Sequence, residues 1–555
     1  MKFKIIIFIA YIISGFQLVL SNSLKDPDQN FLNDKDHNLP EQMNRTFFYF
    51  NKNILYRNLM DNDHHILYEK NNLNASFRFT AITEGTYIND ADLKVDSEFY
   101  DTQILFTTLL NIAVALRYEN WVYIFLSVQD RIYFGSDDEN LNYFQDSGLQ
   151  RTSRQNNFST NLIYLKIQFS QNKDFETNLY IGRQFLPDVF LLEKNIQNYI
   201  YPDAIDGVRF TADSFNAGKF NFIVLDVLNL YQYWKETPSR YDQLPLSESD
   251  IIGNYKWDLL SLRTGILYTS PHLLPVEKNM QWVWYLNTLF TKYGPVITGV
   301  DRADGSGKFN DNDYIFHYGL GTSFQFMNFI FFLETCRSDG IDRKLPGIFG
   351  NLQDIAMNGF FSRGEILWSL PPNKNFKSVI DFSFIYSDGP IFNEHGNKTN
   401  YGFIASGDHD SGFILLNNFW GFRPYSLSLK NGFVNNQSFG FYHSSGALIF
   451  KAGYSIKFNE KIIIDLQTSF IFDTTLYNNS KNIFIASSTF PKFQNRYIGS
   501  ENMISCLFAL NTVLELYVIG DIFFPGELYQ YYKNGILSDH VNNFYGIFGG
   551  IQVHY

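Results

Sequence analysis

Short runs of alternating apolar and polar residues recur along most of the chain. Side chains on a β-strand point to opposite faces in turn, so such runs predict strands with one apolar and one polar face. Residues 104–117 show the pattern well. Ile104, Phe106, Leu110, Ile112, Val114 and Leu116 share one parity; Thr107, Asn111, Ala113, Ala115 and Arg117 share the other. Only 118–120 separate this run from 121–131, which sets Val122, Ile124, Leu126 and Val128 against Tyr123, Ser127, Gln129 and Arg131. Further strands are expected at 73–84, 160–170, 179–184, 259–268, 280–291, 314–326, 378–386, 448–456, 461–472 and 510–523. A last one at 545–555 carries Tyr545, Ile547, Ile551, Val553 and Tyr555 on its apolar parity.

The rhythm is strand, short turn, strand, long loop. Residues 118–120 and 171–176 are short; 136–157 is long and polar. Beyond the N-terminus no segment reaches the ~18 apolar residues of a membrane helix. Yet 45% of residues are hydrophobic and 18% aromatic, so the apolar content is delivered in short alternating runs. That is how a closed barrel meets lipid, because every backbone donor and acceptor is paired between strands. The expected fold is all-β, a transmembrane antiparallel β-barrel over 73–555. At about 10 residues per strand it holds roughly 16 to 18 strands, with 18 preferred. A barrel that wide leaves a lumen. A secreted β-sandwich or β-helix would need regular turn spacing or a repeat, and none is found.

Lys2 and Lys4 precede an apolar run over 5–20 and then Ser21 and Ser23, which reads as a signal peptide over 1–23. Residues 24–72, rich in Asn and Asp, are expected to form a polar periplasmic arm with a short helix around 47–59. The expected location is the outer membrane of a diderm bacterium. The 545–555 strand would close the barrel against lipid, end at the periplasmic rim and present itself to the barrel-assembly machinery. The net charge of −12 becomes −14 once Lys2 and Lys4 leave, which argues against nucleic acid as partner. Spacing alone does not decide whether Cys336 and Cys506 are bonded. No cofactor, metal or catalysis is expected. His64 and His65 lack companion ligands. Ser444 and Ser445 after His443 lack an oriented base. Gly305 and Gly307, beside Asp301, Asp304 and Asp311, read as an external loop.

The informative charges lie in the first half. If 118–120 is periplasmic, the strand from Trp121 runs outward, and three charged clusters converge at similar height. Arg209, Thr211 and Asp213 have lumen parity, opposite Val208, Phe210 and Ala212; Arg263 has it too. Arg183 shares parity with Leu179 and Ile181. A charge on the lipid face at mid-depth costs roughly 2–4 kcal/mol, so a bulge or the strand's end is expected to re-aim it. The candidate pore lining is Arg117, Gln129, Asp130, Arg131, Arg183, Gln184, Asp206, Arg209 and Arg263. Two readings stand side by side. The arginines attract an anionic solute while Asp130 and Asp206 hold them, or Arg and Asp merely pair across neighbouring strands.

Three runs carry a family likeness: Val-Gln-Asp-Arg-Ile-Tyr-Phe-Gly at 128–135, Tyr-Ile-Gly-Arg-Gln at 180–184 and Asp-Gly-Val-Arg at 206–209. In this order and spacing, within about 75–230, the chain resembles the alginate export family of outer-membrane porins. The resemblance implies an 18-stranded barrel with an arginine-rich conduit for an anionic polysaccharide, and on the matched positions makes Arg131, Arg183 and Arg209 conduit residues. The chain departs from the family in its long Asn-rich arm, in Phe134 where Trp is common, and in having few basic residues in many later strands. The expected function is passive diffusion or export of anionic or polar solutes, a saccharide among them. The alternative is a surface-exposed structural or adhesin barrel with an occluded lumen.

Overall fold

A computed structural model shows eighteen antiparallel strands hydrogen-bonded in sequence order into one closed wall. It describes residues 65–89, 102–135, 154–185, 204–225, 262–271, 280–292, 314–342, 354–403, 447–477, 497–526 and 543–554, apart from a few turn residues within those ranges. The wall runs β1 (Leu73–Asn89), β2 (Thr102–Tyr118), β3 (Val122–Gly135), β4 (Arg154–Asn172), β5 (Phe175–Phe185), β6 (Ala204–Ser214), β7 (Gly218–Leu225), β8 (Leu262–Thr269) and β9 (Met280–Lys292). It continues through β10 (Tyr314–Phe326), β11 (Phe329–Asp342), β12 (Gly359–Ser369), β13 (Phe376–Ser387), β14 (Ala447–Phe458), β15 (Ile462–Asp473), β16 (Tyr497–Ala509), β17 (Leu514–Pro525) and β18 (Phe544–His554). β18 closes onto β1, from Asn89 opposite Tyr545 down to Thr80 opposite His554. Closure removes the free edges that an open sheet of this size would expose.

The connections sort the two ends. At one end lie 119–121, 173–174, 215–217, 327–328, 370–375, 459–461 and 510–513; at the other lie 136–153, 186–203, 226–261, 293–313 and 388–446. Short turns mark the periplasmic rim in this architecture, so β3 runs outward and β18 inward, as expected from turn length. Two tight turns seat non-glycine residues at positive φ, Glu119 (49°) and Met327 (50°).

Alternation sets the two faces. Ile112, Leu116, Ile124, Leu126, Phe382 and Phe470 point outward and are exposed, while Asn111, Ala113, Ser127, Asp381 and Ser469 between them are buried. An apolar exterior on a closed sheet is the solution for a bilayer, not for water. Its height can be read along β11. Phe331 and Leu333 are exposed on the outward face, and above them Arg337 pairs with Asp339 at 3.1 Å while the Tyr318 hydroxyl donates to Asp339 at 2.7 Å. From Phe329 to Arg337 a strand tilted about 40° climbs about 20 Å, close to the hydrocarbon band such barrels present.

Several details depart from the sequence reading. Strands β7, β11, β12 and β16 were not anticipated from alternation. β11 and β12 explain why: Ile330 and Phe332 face inward beside outward Phe331 and Leu333, and Phe361 faces inward beside outward Phe360. A strand apolar on both faces loses its period. β4 starts at Arg154, earlier than the 160 expected, because a register shift opposite Ser127 and Val128 breaks its parity. Within the expected arm, His65–Lys70 is a strand paired with the lower part of β1 through a turn at Asn72. It lies in line with β18 and covers the edge of β1 that β18 leaves below Thr80. The Asn72 carbonyl accepts from the Glu119 N–H at 2.6 Å, and the Asn72 side chain donates to the Glu119 carboxylate at 2.8 Å, tying this hairpin to the next periplasmic turn. The signal peptide, the helix expected at 47–59, His64, the 301–311 acidic loop and the His443–Ser445 run lie outside the described residues.

Above β11 to β15 a collar of short segments continues the wall. Ile355–Ala356 pairs with the end of β11, Lys398–Asn400 with Ala356, Ile391–Phe392 with Lys398–Asn400, and Leu476–Tyr477 with Ile391–Phe392. Cys336 faces inward on β11 and Cys506 shares the outward parity of Ile504 on β16; both are free thiols.

Candidate functional site: the inner wall

The inner wall over β3 to β6 is an aromatic ladder that ends in a cation. On β3, Tyr123 and Phe125 stack with centroids 6.2 Å apart; Phe125 meets Tyr164 of β4 at 5.4 Å, and Tyr164 meets Tyr180 of β5 at 6.2 Å. Arg209 of β6 lies directly across from Tyr180 and puts its guanidinium 4.0 Å from the ring centroid. Such a contact is worth about 0.5–2 kcal/mol and fixes the plane of the guanidinium. Arg209 is 4% exposed, and neither Nε nor Nη1 has a hydrogen-bond partner among the described residues.

Four residues above Tyr180, the second inward-facing position on, stands Gln184, 1% exposed, with both amide atoms likewise unpartnered among the described residues. Between these levels the facing inward positions are Gly182 on β5 and Gly207 on β6, which are cross-strand partners. Neither offers a side chain, so the wall is recessed there. Gly182 has φ 124°, and a Cβ on it would meet the Ile163 carbonyl oxygen at 2.2 Å, so no other residue fits without moving β4. The recess is floored by glycine backbone and flanked by an amide and a guanidinium. Buried donors left without partners call for water or a ligand. Lower down the charges are paired: Lys166 with Glu176 at 3.4 Å and Lys219 with Asp213 at 3.7 Å.

The register places each candidate from the sequence. Gln129 and Arg131 fall within β3 and Arg263 within β8, and their side chains lie outside the described residues. Arg117 is half-buried at the periplasmic end of β2, where its Nε donates to the Glu119 carbonyl at 3.0 Å. Gln184 and Arg209 join the recess. Arg183 alternates with the buried Gly182 and Gln184 and so keeps the outward parity that the sequence showed, while the side chains of Asp130 and Asp206 lie outside the described residues. No register shift falls at Arg183, where the ladder to β4 reaches its last pair, Ile163–Arg183, and the ladder to β6 continues past Arg183–Asp206. Arg183 is half-buried there. The local irregularity is the φ of Gly182, not an extra residue.

The second half of the wall holds lumen-facing charges that the sequence reading passed over. Glu334, Asp381, Asp465, Glu501 and Asp521 are buried on the inner faces of β11, β13, β15, β16 and β17. Arg363 of β12 lies across from Glu334, with Nε 3.9 Å from Oε2, and its guanidinium sits 4.7 Å from the Phe332 centroid. The Asp465 carboxylate accepts from the Ser455 hydroxyl. Asp381, Asp465 and Asp521 sit on the polar parity of strands recognisable from their alternation, whereas Glu334 and Glu501 sit on strands that alternation did not reveal.

No family model matches the chain, and no curated protein matches it. Among solved structures it is similar to Acinetobacter baumannii OccAB4, with 9% identity over 86% of this chain and 98% of that one, at a TM-score of 0.42. It is also similar to Pseudomonas aeruginosa OccK5, with 10% identity over 86% and 98% and a TM-score of 0.41. The outer membrane protein OprD from Pseudomonas aeruginosa gives 10% identity over 87% and 93%, with a TM-score of 0.40.

Proposed function

We propose that the chain is an outer-membrane channel for passive movement of polar solutes, and that anionic groups of the solute pass along β4 to β6. The observation that carries this reading is the recess at Gly182 and Gly207, where Arg209 and Gln184 hold donors without described partners. A preorganised guanidinium and amide favour a carboxylate or a hydroxyl-rich ligand over bulk water. The likeness of these runs to the alginate export family supports a saccharide as the solute class. The buried acids of β11 to β17 on the remaining wall favour a weak overall preference, not strict anion selection. The strand at 544–554 would serve as the handle for barrel assembly.

Reconstitution into planar bilayers tests the reading, and folded protein that never conducts would sink it. In conducting protein, Arg209→Ala is expected to lower the anion-to-cation permeability ratio about fivefold, the effect of losing about 1 kcal/mol of attraction in a wet lumen. Arg183→Ala, on the outward parity, is expected to leave the ratio unchanged. Equal effects of the two substitutions would reject the recess as the selective element. A closed structural barrel remains the second reading, favoured by the buried ring pair of Phe361 and Phe403 on the inner side.

A further inference from the structure

Between β13 and β14 the described residues turn back into the barrel, held by specific hydrogen bonds. Asp388 tops β13. Its N–H donates to the Phe360 carbonyl at 2.9 Å, and its carboxylate accepts from the Phe360 N–H at 2.8 Å and from the Tyr386 hydroxyl at 2.7 Å. Its carbonyl accepts from the Phe403 N–H at 3.0 Å. In the collar, Asn400 Oδ1 accepts from the N–H groups of Asn358 (3.0 Å) and Gly402 (3.1 Å), and Nδ2 donates to the Asn358 carbonyl at 2.7 Å. Two glycines make the close approach possible. A Cβ on Gly359 would lie 1.9 Å from the Phe403 nitrogen, and Gly402 has φ 77° with a Cβ position 2.4 Å from the Asp388 oxygen. Phe403 is 0% exposed; it stacks on Phe361 at 5.2 Å and meets His317 edge-on at 6.2 Å. Leu289, Ile315, Cys336 and Met357 are buried on the same side.

We infer that Phe403 is a fixed anchor inside the barrel, which seals the inner wall of β10 to β12 from lumen water and sets the pore's edge there. The solute path is thereby left to the polar wall of β4 to β6. A ring stacked on Phe361 and edge-on to His317 keeps water from the apolar atoms that it covers. The position of the path rests on the channel reading; the seal does not.

Cys336 reports on the seal, since it lies across from Phe361 under the anchor, while Cys506 faces outward and can be removed. In a Cys506→Ser background in liposomes, a membrane-impermeant maleimide is expected to label Cys336 slowly. Phe403→Ala and Asn400→Ala are expected to raise that rate about tenfold or more by opening the patch locally, while Phe403→Leu stays close to the parent. Heat-modifiable gel migration checks that each barrel is folded. Single-channel conductance should rise in the first two variants. Equal labelling in all four proteins overturns the seal. Faster labelling with unchanged conductance overturns Phe403 as the pore's edge. Faster labelling with no conductance from any protein keeps the seal and removes the channel reading.

Discussion

Leu466→Arg is expected to destabilise the protein in a bilayer by about 2–4 kcal/mol, while Gln467→Lys, one residue along, is tolerated. Leu466 sits within β15, between Tyr454 of β14 and Ile504 of β16, and is 45% exposed on the outward face. In water such exposure would make it an ordinary surface position, where substitutions fall within about 0.5 kcal/mol. Facing hydrocarbon, an arginine must lose its hydration or thin the membrane around it. Gln467 points inward among polar neighbours, and there a lysine keeps access to carboxylates. Urea unfolding of the two variants in vesicles of defined composition measures the difference. If Leu466→Arg unfolds at the parent's midpoint, the outer face is not in lipid and the whole membrane reading fails. If both variants fall equally, the inside of the barrel at this height is as dry as the outside.

The fold was legible wherever one face meets lipid and the other polar groups. β2, β3, β9, β10 and β15 announce themselves by period two, and turn lengths gave their direction. Legibility ended where the lumen face is itself apolar. Ile330 and Phe332 on β11 and Phe361 on β12 pack against inner neighbours, so the strands read as unbroken apolar runs. The site was half legible for a related reason. Parity alone pointed Arg209 to the inner face, where it is buried, and Arg183 to the outer parity, where it is half-buried. The expected bulge is absent; Arg183 is half-buried at the last pair of the β4 ladder, the strand-end position that was the other expectation. Nothing local could have found Phe403. Its partners, Phe361 and His317, lie on β12 and β10, and the turn that delivers it depends on Asn358 and Gly359, at the start of β12. Contacts of that kind are properties of closure, not of any window of sequence.

Arg363→Met is expected to cost about 3–5 kcal/mol, and adding Glu334→Gln to it should recover most of that loss. Glu334 is 0% exposed, and its near neighbours are the Cys336 thiol, at 3.6 Å, and the guanidinium across the strand. At 3.9 Å the two charges attract by about 4 kcal/mol if the effective dielectric is about 20. That attraction offsets desolvation of both groups, so the intact pair adds little net stability. Removing one partner is different, because it strands a carboxylate beside Phe332. The double variant strands nothing. A double-mutant cycle on urea midpoints should therefore give a coupling energy above about 2 kcal/mol, several times that of an exposed pair. The outcome also decides how wet this side of the lumen is. If Arg363→Met alone costs less than about 1 kcal/mol, water reaches Glu334, and the wall beneath Phe403 conducts instead of being sealed. If the full cost appears, charge on β11 and β12 is structural, and selectivity is left to the wall that carries Arg209.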